Sequence, residues 1–138
     1  MVFGSFDVLH EGHRHFLQDA KALGDYLIIA LASDASIRFL KGHEPKQSFD
    51  ERAAALSLNE NVDEVVAGDE LDDDGNDALG TWQVIEKLQP NIIACGYDQQ
   101  AINTLLTKRF ATLDSPQIIS LAPFEPTIYK SSLLNSLI

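Results

Sequence analysis

Apolar runs of strand length alternate with segments of helical period along this chain, and that alternation restricts the fold more than any other feature. Strands are read at 1–3 (MVF), 25–33 (DYLIIALAS), 62–68 (VDEVVAG), 91–96 (NIIACG) and 117–122 (QIISLA). Runs without polar alternation are buried on both faces, as in parallel sheets, and the helices between them supply the crossovers. The first helix is expected from about Gly12 to Leu23, with Gly24 as its stop, and a short one from a cap at Asp34 through Leu40. Ser48 and Glu51 have capping-box spacing. Further helices are expected from a cap at Thr81 to Pro90, over Ile102 to Phe110, and from about Ser131. The 138 residues suit one three-layer α/β/α domain, residues 1–138, around a mainly parallel five-stranded sheet.

Charge narrows the partners. Acidic residues number 21 against 10 basic ones, a net charge of −11. Such a field repels nucleic acid and offers no basic stripe for a phosphodiester backbone. No apolar run approaches the roughly 18–20 residues that span a bilayer, and no secretory leader is recognised at the start. Cys95 is the only cysteine, so no internal disulfide is possible, and a cytoplasmic location is expected. An anionic ligand would need local positive potential from a few lysines, histidines and helix N-termini.

Open parallel sheets bind ligands outside the carboxyl ends of their strands. Those ends read GSFD, ASD, AGDE, GYDQ and APFEP, and the first and fourth carry the richest chemistry. After the first comes HEGH, with His10 just before a helix and His13 in its first turn. Free backbone N–H groups there favour an anion, Gly12 permits close approach, and imidazoles can donate to phosphate oxygens. The alternatives are helix-start histidines without function, or a metal site. The metal reading meets the wrong spacing, since zinc proteases place histidines four apart, and no further His/Cys cluster supplies ligands. The DDDG cluster at 72–75 has Thr81 where a calcium loop needs a bidentate Glu, so a solvated acidic loop is expected. Cys95 and Trp82 are read as packing residues.

G-x-F-D-x-x-H-x-G-H between a strand and a helix resembles the signature of the nucleotidyltransferase superfamily with the HxGH motif, and the chain resembles its small cytidylyltransferase-like members along nearly its whole length. LGDYLIIALASD, LKGHEPKQSFDERAAAL, CGYDQ and YKSSLL resemble successive family segments, in order. The resemblance implies a Rossmann-like fold in which a phosphorylated acceptor attacks the α-phosphorus of a nucleoside triphosphate and pyrophosphate leaves. It implies that His10 and His13 contact the phosphates, with Gly4, Ser5 and Phe6 beneath the nucleotide. Mg²⁺ would accompany ATP or CTP. Lys41 falls where relatives carry a loop lysine, with Lys46 as substitute, and either is otherwise a solvated lysine. Asp98 would accept bonds from ribose or base, or else cap a helix. Ser131 and Ser132 would hold the β- and γ-phosphates, or merely cap the last helix, and Tyr129 would stack on the nucleotide or pack. Asp7 and Arg52 are further phosphate or acceptor contacts, and Arg52 is alternatively a packed, ion-paired residue.

Subgroups differ in detail. Glycerol-3-phosphate cytidylyltransferases typically read GDDW for GYDQ and carry an arginine where this chain has Glu125. Heptose-phosphate adenylyltransferases share SDASIRFLKG but usually read GGDY. Archaeal-type FAD synthases, which move AMP from ATP to FMN, often show GYDQ with a YKSS-like end, and this pairing favours them. Two departures point instead to a nucleotide-binding protein without turnover. Leu133 stands where relatives place a lysine, and relatives usually carry several residues before the position of Met1, so the central strand is expected to lose ladder bonds. Relatives of this size are often homodimers.

Overall fold

The computed structural model describes residues 1–69 and 82–123. Its first strand, β1 (Val2–Gly4), is three residues long and lies in the middle of the sheet. There follow α1 (Glu11–Lys21), β2 (Ile28–Leu31), α2 (Asp34–Lys41), α3 (Phe49–Ser57) and β3 (Glu64–Ala67). The chain then continues through α4 (Gln83–Leu88), β4 (Ile92–Cys95), α5 (Gln100–Arg109) and β5 (Gln117–Ser120). The strand order is β3-β2-β1-β4-β5, and every pairing is parallel, so the sheet is wholly rather than mainly so.

Because consecutive strand residues point to opposite faces, the sheet sorts its side chains into two cores. On one face Val2, Ile29, Leu31 and Ala94 pack with Leu17 and Ala20 of α1 and Leu56 of α3. On the other, Ala30, Ile93 and Cys95 pack with Val84 and Ile85 of α4 and Leu106 of α5. This is the three-layer sandwich that the unbroken apolar strands require. Cys95 and Trp82 are both buried, and Trp82 meets Phe3 edge-on at 5.2 Å between ring centroids.

Element ends depart from expectation where side chains have better uses. Ser33, not Asp34, caps α2, its Oγ accepting from the Ser36 N–H, because Asp34 is drawn to Arg52. Helix α1 stops at Lys21 with Ala22 still in right-handed conformation, before Gly24 is reached. Helix α5 opens at Gln100, two residues ahead of the apolar period. The Ser48–Glu51 capping box forms as read. Thr81 and the helix expected from Ser131 lie outside the described residues.

Order 3-2-1-4-5 places the reversal of winding between β1 and β4. There the crossover connections diverge to opposite sides, and a crevice opens beyond the strands' carboxyl ends. Pairing of β1 with β2 runs through Val2, Phe3 and Gly4, whereas pairing with β4 is confined to Val2 and Ala94. The ladder on the β4 side does reach back to Met1, whose carbonyl accepts from the Ala94 N–H.

Candidate active site

The crevice is lined first by the start of α1. His10, in extended conformation, is the N-cap, and its Nδ1 accepts from the Gly12 N–H at 3.1 Å. His13 returns the bond, its Nδ1 accepting from the His10 N–H at 3.3 Å. This is a capping box built from two imidazoles instead of Ser/Thr and Glu. The rings stack with centroids 3.8 Å apart and planes 23° from parallel. Gly12 is required by the cap itself, since a Cβ there would lie 2.9 Å from the His10 ring.

Those bonds decide the tautomers. An imidazole whose Nδ1 accepts carries its proton on Nε2, so each ring offers an Nε2–H donor beyond the helix cap. Protonation is opposed. Burial pushes His13 down to about 4, helped by the nearby charges of His10, Lys41 and Arg14. His10 is lowered by burial and by Arg14, against an opposing pull from Glu11. Two neutral donors at a helix N-terminus suit a phosphate group, whose own charge would draw the rings toward protonation.

A second wall comes from two loops stitched together. Asp7 accepts from the N–H groups of Lys46 (2.7 Å) and Gln47 (2.9 Å), and the Gln47 side chain accepts from Val8 N–H at 3.1 Å. Phe6, at positive φ, turns its ring under Gly4, where a Cβ would come within 2.7 Å, and meets His13 edge-on at 5.5 Å. Lys41, at the last turn of α2, reaches Ser5 with Nζ 3.1 Å from Oγ. The structure thus brings Gly4, Ser5, Phe6, His10, Gly12, His13 and Lys41 around one opening. Lys46 is tied to the same loop through its backbone.

Arg52 is placed differently. It is fully buried, and its guanidinium donates to the carbonyls of Gln47, Ser5 and Ala32 and to Asp34 at 2.6 Å. Of its two readings the structure displays the packed, ion-paired one. Its partner Asp34 carries only a cap signal in the sequence. Capping residues and buried ion-pair partners carry the same sequence signal, so the pairing was not legible.

Beyond β4, Asp98 is exposed on the turn that faces the crevice, and its neighbour Gln99 bonds to both Gly96 and Phe3. Gln99 ends the GYDQ segment, and nothing in its local spacing points to these two bonds. Tyr129, Ser131, Ser132 and Leu133 lie outside the described residues. Among the described residues no three His, Cys, Asp or Glu side chains are grouped to hold a metal ion, and both oxygens of Asp7 already accept from backbone.

The sequence profile of the cytidylyltransferase-like family matches residues 1–128. The chain belongs to that family. It is 42% identical over 96 residues to an FAD synthase of Thermococcus sibiricus, an overlap of 70% of this chain and 60% of that one. A bifunctional protein HldE of Wolinella succinogenes is 43% identical over 98 residues, 70% of this chain but 19% of that protein. Among solved structures, a lipopolysaccharide core biosynthesis protein of Thermoplasma volcanium superposes with a TM-score of 0.76 at 29% identity, covering 91% of this chain and 96% of that one. The chain spans about three fifths of the length of the FAD synthases it matches.

Within a family of this fold, the arrangement is suited to displacement at phosphorus. It offers fixed N–H donors, a lysine and a helix N-terminus, all in place before a substrate arrives. Such a reaction is catalysed by positioning and by stabilising charge on the transferring group. Among the described residues no helix is long and apolar enough to cross a membrane.

Proposed function

We propose that this chain transfers a nucleoside monophosphate from a nucleoside triphosphate to a phosphorylated small molecule. A phosphate oxygen of the acceptor attacks the α-phosphorus in line, the bond from that phosphorus to the bridging oxygen breaks, and pyrophosphate leaves. The observation that carries the reading is the imidazole pair. Two stacked neutral rings cap a helix at the switch point of the sheet, each with a spare Nε2–H, beside a lysine. His10 and His13 donate to the phosphates as charge builds, and Lys41 offsets the triphosphate. Asp98 receives ribose or base, and the family resemblance assigns the β- and γ-phosphates to Ser131 and Ser132 and the nucleotide to Tyr129, which lie outside the described residues. Mg²⁺ would accompany the triphosphate and offset its charge.

The preferred reaction is AMP transfer from ATP to FMN, giving FAD. It is supported by several FAD synthases at about 40% identity and by GYDQ with YKSSLL. The likeness to the HldE protein and to the lipopolysaccharide core biosynthesis protein favours a second reading, adenylyl transfer to a sugar phosphate. Glycerol 3-phosphate with CTP is the third pairing. The purified protein is supplied with Mg²⁺, with ATP or CTP, and with each of FMN, glycerol 3-phosphate and heptose 1-phosphate. Pyrophosphate release with ATP and FMN alone is the expected result. Release with another pair replaces the acceptor. Saturable nucleotide binding with no release from any pair would make this a binding protein and overturn the enzyme.

A further inference from the structure

We propose that Gln99 is a wedge that holds β1 and β4 apart and sets the width of the crevice between them; this rests on the reading of that crevice as the nucleotide site. The register shows what the wedge displaces. Val2 pairs with Ala94, and the Ala94 N–H donates to the Met1 carbonyl at 3.0 Å. Rungs of a parallel ladder repeat every two residues. The next rung would therefore join the Gly96 N–H to the Phe3 carbonyl. Neither group makes that bond. The Gly96 N–H donates to Gln99 Oε1 at 2.8 Å, and Gln99 Nε2 donates to the Phe3 carbonyl at 2.8 Å. One carboxamide is interpolated into the rung, satisfying both ends.

The contrast with the other side of β1 locates the effect. There the ladder continues past Gly4, whose carbonyl accepts from the Ala32 N–H at 3.0 Å. Only on the β4 side, where the crevice lies, does it stop at Val2. Gln99 is itself held by a turn, its N–H donating to the Gly96 carbonyl at 3.0 Å, so it clasps both polar groups of one residue. An amide is suited to this task because it presents a donor and an acceptor on one rigid plane. The two strands lead directly into the loops bearing Ser5 and Asp98, so their separation fixes how far those loops stand apart. Gln99 is a positioning residue in this account and touches no reacting atom.

Gln99→Ala removes the wedge and frees the Gly96 N–H to bond the Phe3 carbonyl. Gln99→Asn, one methylene shorter, cannot span both groups and serves if the alanine variant folds poorly. NMR coupling across hydrogen bonds reads the rung itself. Wild type should show no coupling from Gly96 nitrogen to the Phe3 carbonyl carbon, and the variants should show it. Affinity for ATP or CTP, by calorimetry, should fall at least ten-fold in the same variants. A folded variant with no new coupling overturns the wedge, as does one with the coupling and wild-type nucleotide affinity. If the wild-type protein binds neither nucleotide, the reading of the site fails, and the coupling still decides whether Gln99 keeps the strands apart.

Discussion

His10 and His13 stack with ring centroids 3.8 Å apart, and each spends its Nδ1 on a backbone N–H of the same helix start. The two imidazoles therefore hold the helix start, and in the proposed reaction they also donate to phosphate. They close the N-terminus of α1, and the closure fixes the proton on Nε2. Substitution should separate these roles. His10→Ala should cost about 1 kcal/mol of stability through the lost cap and reduce turnover by about 100-fold or more, the range seen when a fixed donor to a charged transition state is removed. His10→Asn restores a capping oxygen but no Nε2–H, so it should recover the stability and not the rate. Urea unfolding and pyrophosphate release measure the two. An asparagine variant with wild-type turnover would remove His10 from the chemistry.

Acid should strike the same pair. His13 sits at about 4 in the folded chain against 6.5 in an unfolded one. The folded state thus holds fewer protons below pH 6.5, and linkage makes stability fall as pH drops from there toward 4, with no change above. The full loss is up to ~3 kcal/mol. Wild type should show this slope in urea midpoints between pH 7 and pH 4, and His13→Gln should show much less of it. A directly titrated His13 ring with an ordinary midpoint near 6.5 would contradict the burial argument.

What could be read in the sequence was whatever depends on local spacing. Buried strands announce themselves as unbroken apolar runs, and HEGH at a strand–helix junction places two histidines at a helix start. The Ser48–Glu51 box was legible because both partners lie within one turn. The bonds that join distant loops were not. Nothing near Arg52 says that it turns inward to carbonyls 20 and 47 residues away, because any arginine can face water. Gln99 reaches Phe3 across 96 residues, and only the sheet order makes them neighbours. At Gly12 the sequence suggests room for a phosphate, and the structure adds a second neighbour, the His10 ring, which a Cβ there would meet at 2.9 Å.

Arg52 therefore predicts a stability effect rather than a purely kinetic one. Arg52→Met keeps most of the volume but leaves the carbonyls of Ser5, Ala32 and Gln47 without their donor and Asp34 without its counter-charge. Breaking a buried charged network of this kind costs about 3 kcal/mol or more. Asp34→Asn should cost less, since the Asp34 side chain is 36% exposed and an amide still accepts from the guanidinium. Urea midpoints for the two variants give the order. An Arg52→Met protein as stable as wild type would show that the loops hold without it.

Gly12→Ala tests the cap with a single methyl group. Alanine is favoured over glycine inside a helix by up to about 1 kcal/mol, so helix propensity alone predicts a gain. The new Cβ, however, would stand 2.9 Å from His10 Cε1 and 3.1 Å from Nδ1. The ring must swing off the Gly12 N–H, forfeiting a cap of about the same size. The two terms nearly cancel, and the melting temperature should stay close to wild type. Catalysis should not. Without the Gly12 bond the His10 proton is free to reside on either nitrogen, and the donor aimed from Nε2 is lost for part of the population. Side-chain ¹⁵N shifts should report one Nε2–H tautomer in the native protein and a mixture in the variant, with turnover down by about ten-fold or more. A Gly12→Ala protein with a single tautomer and undiminished turnover would mean that the ring is oriented by something other than this bond.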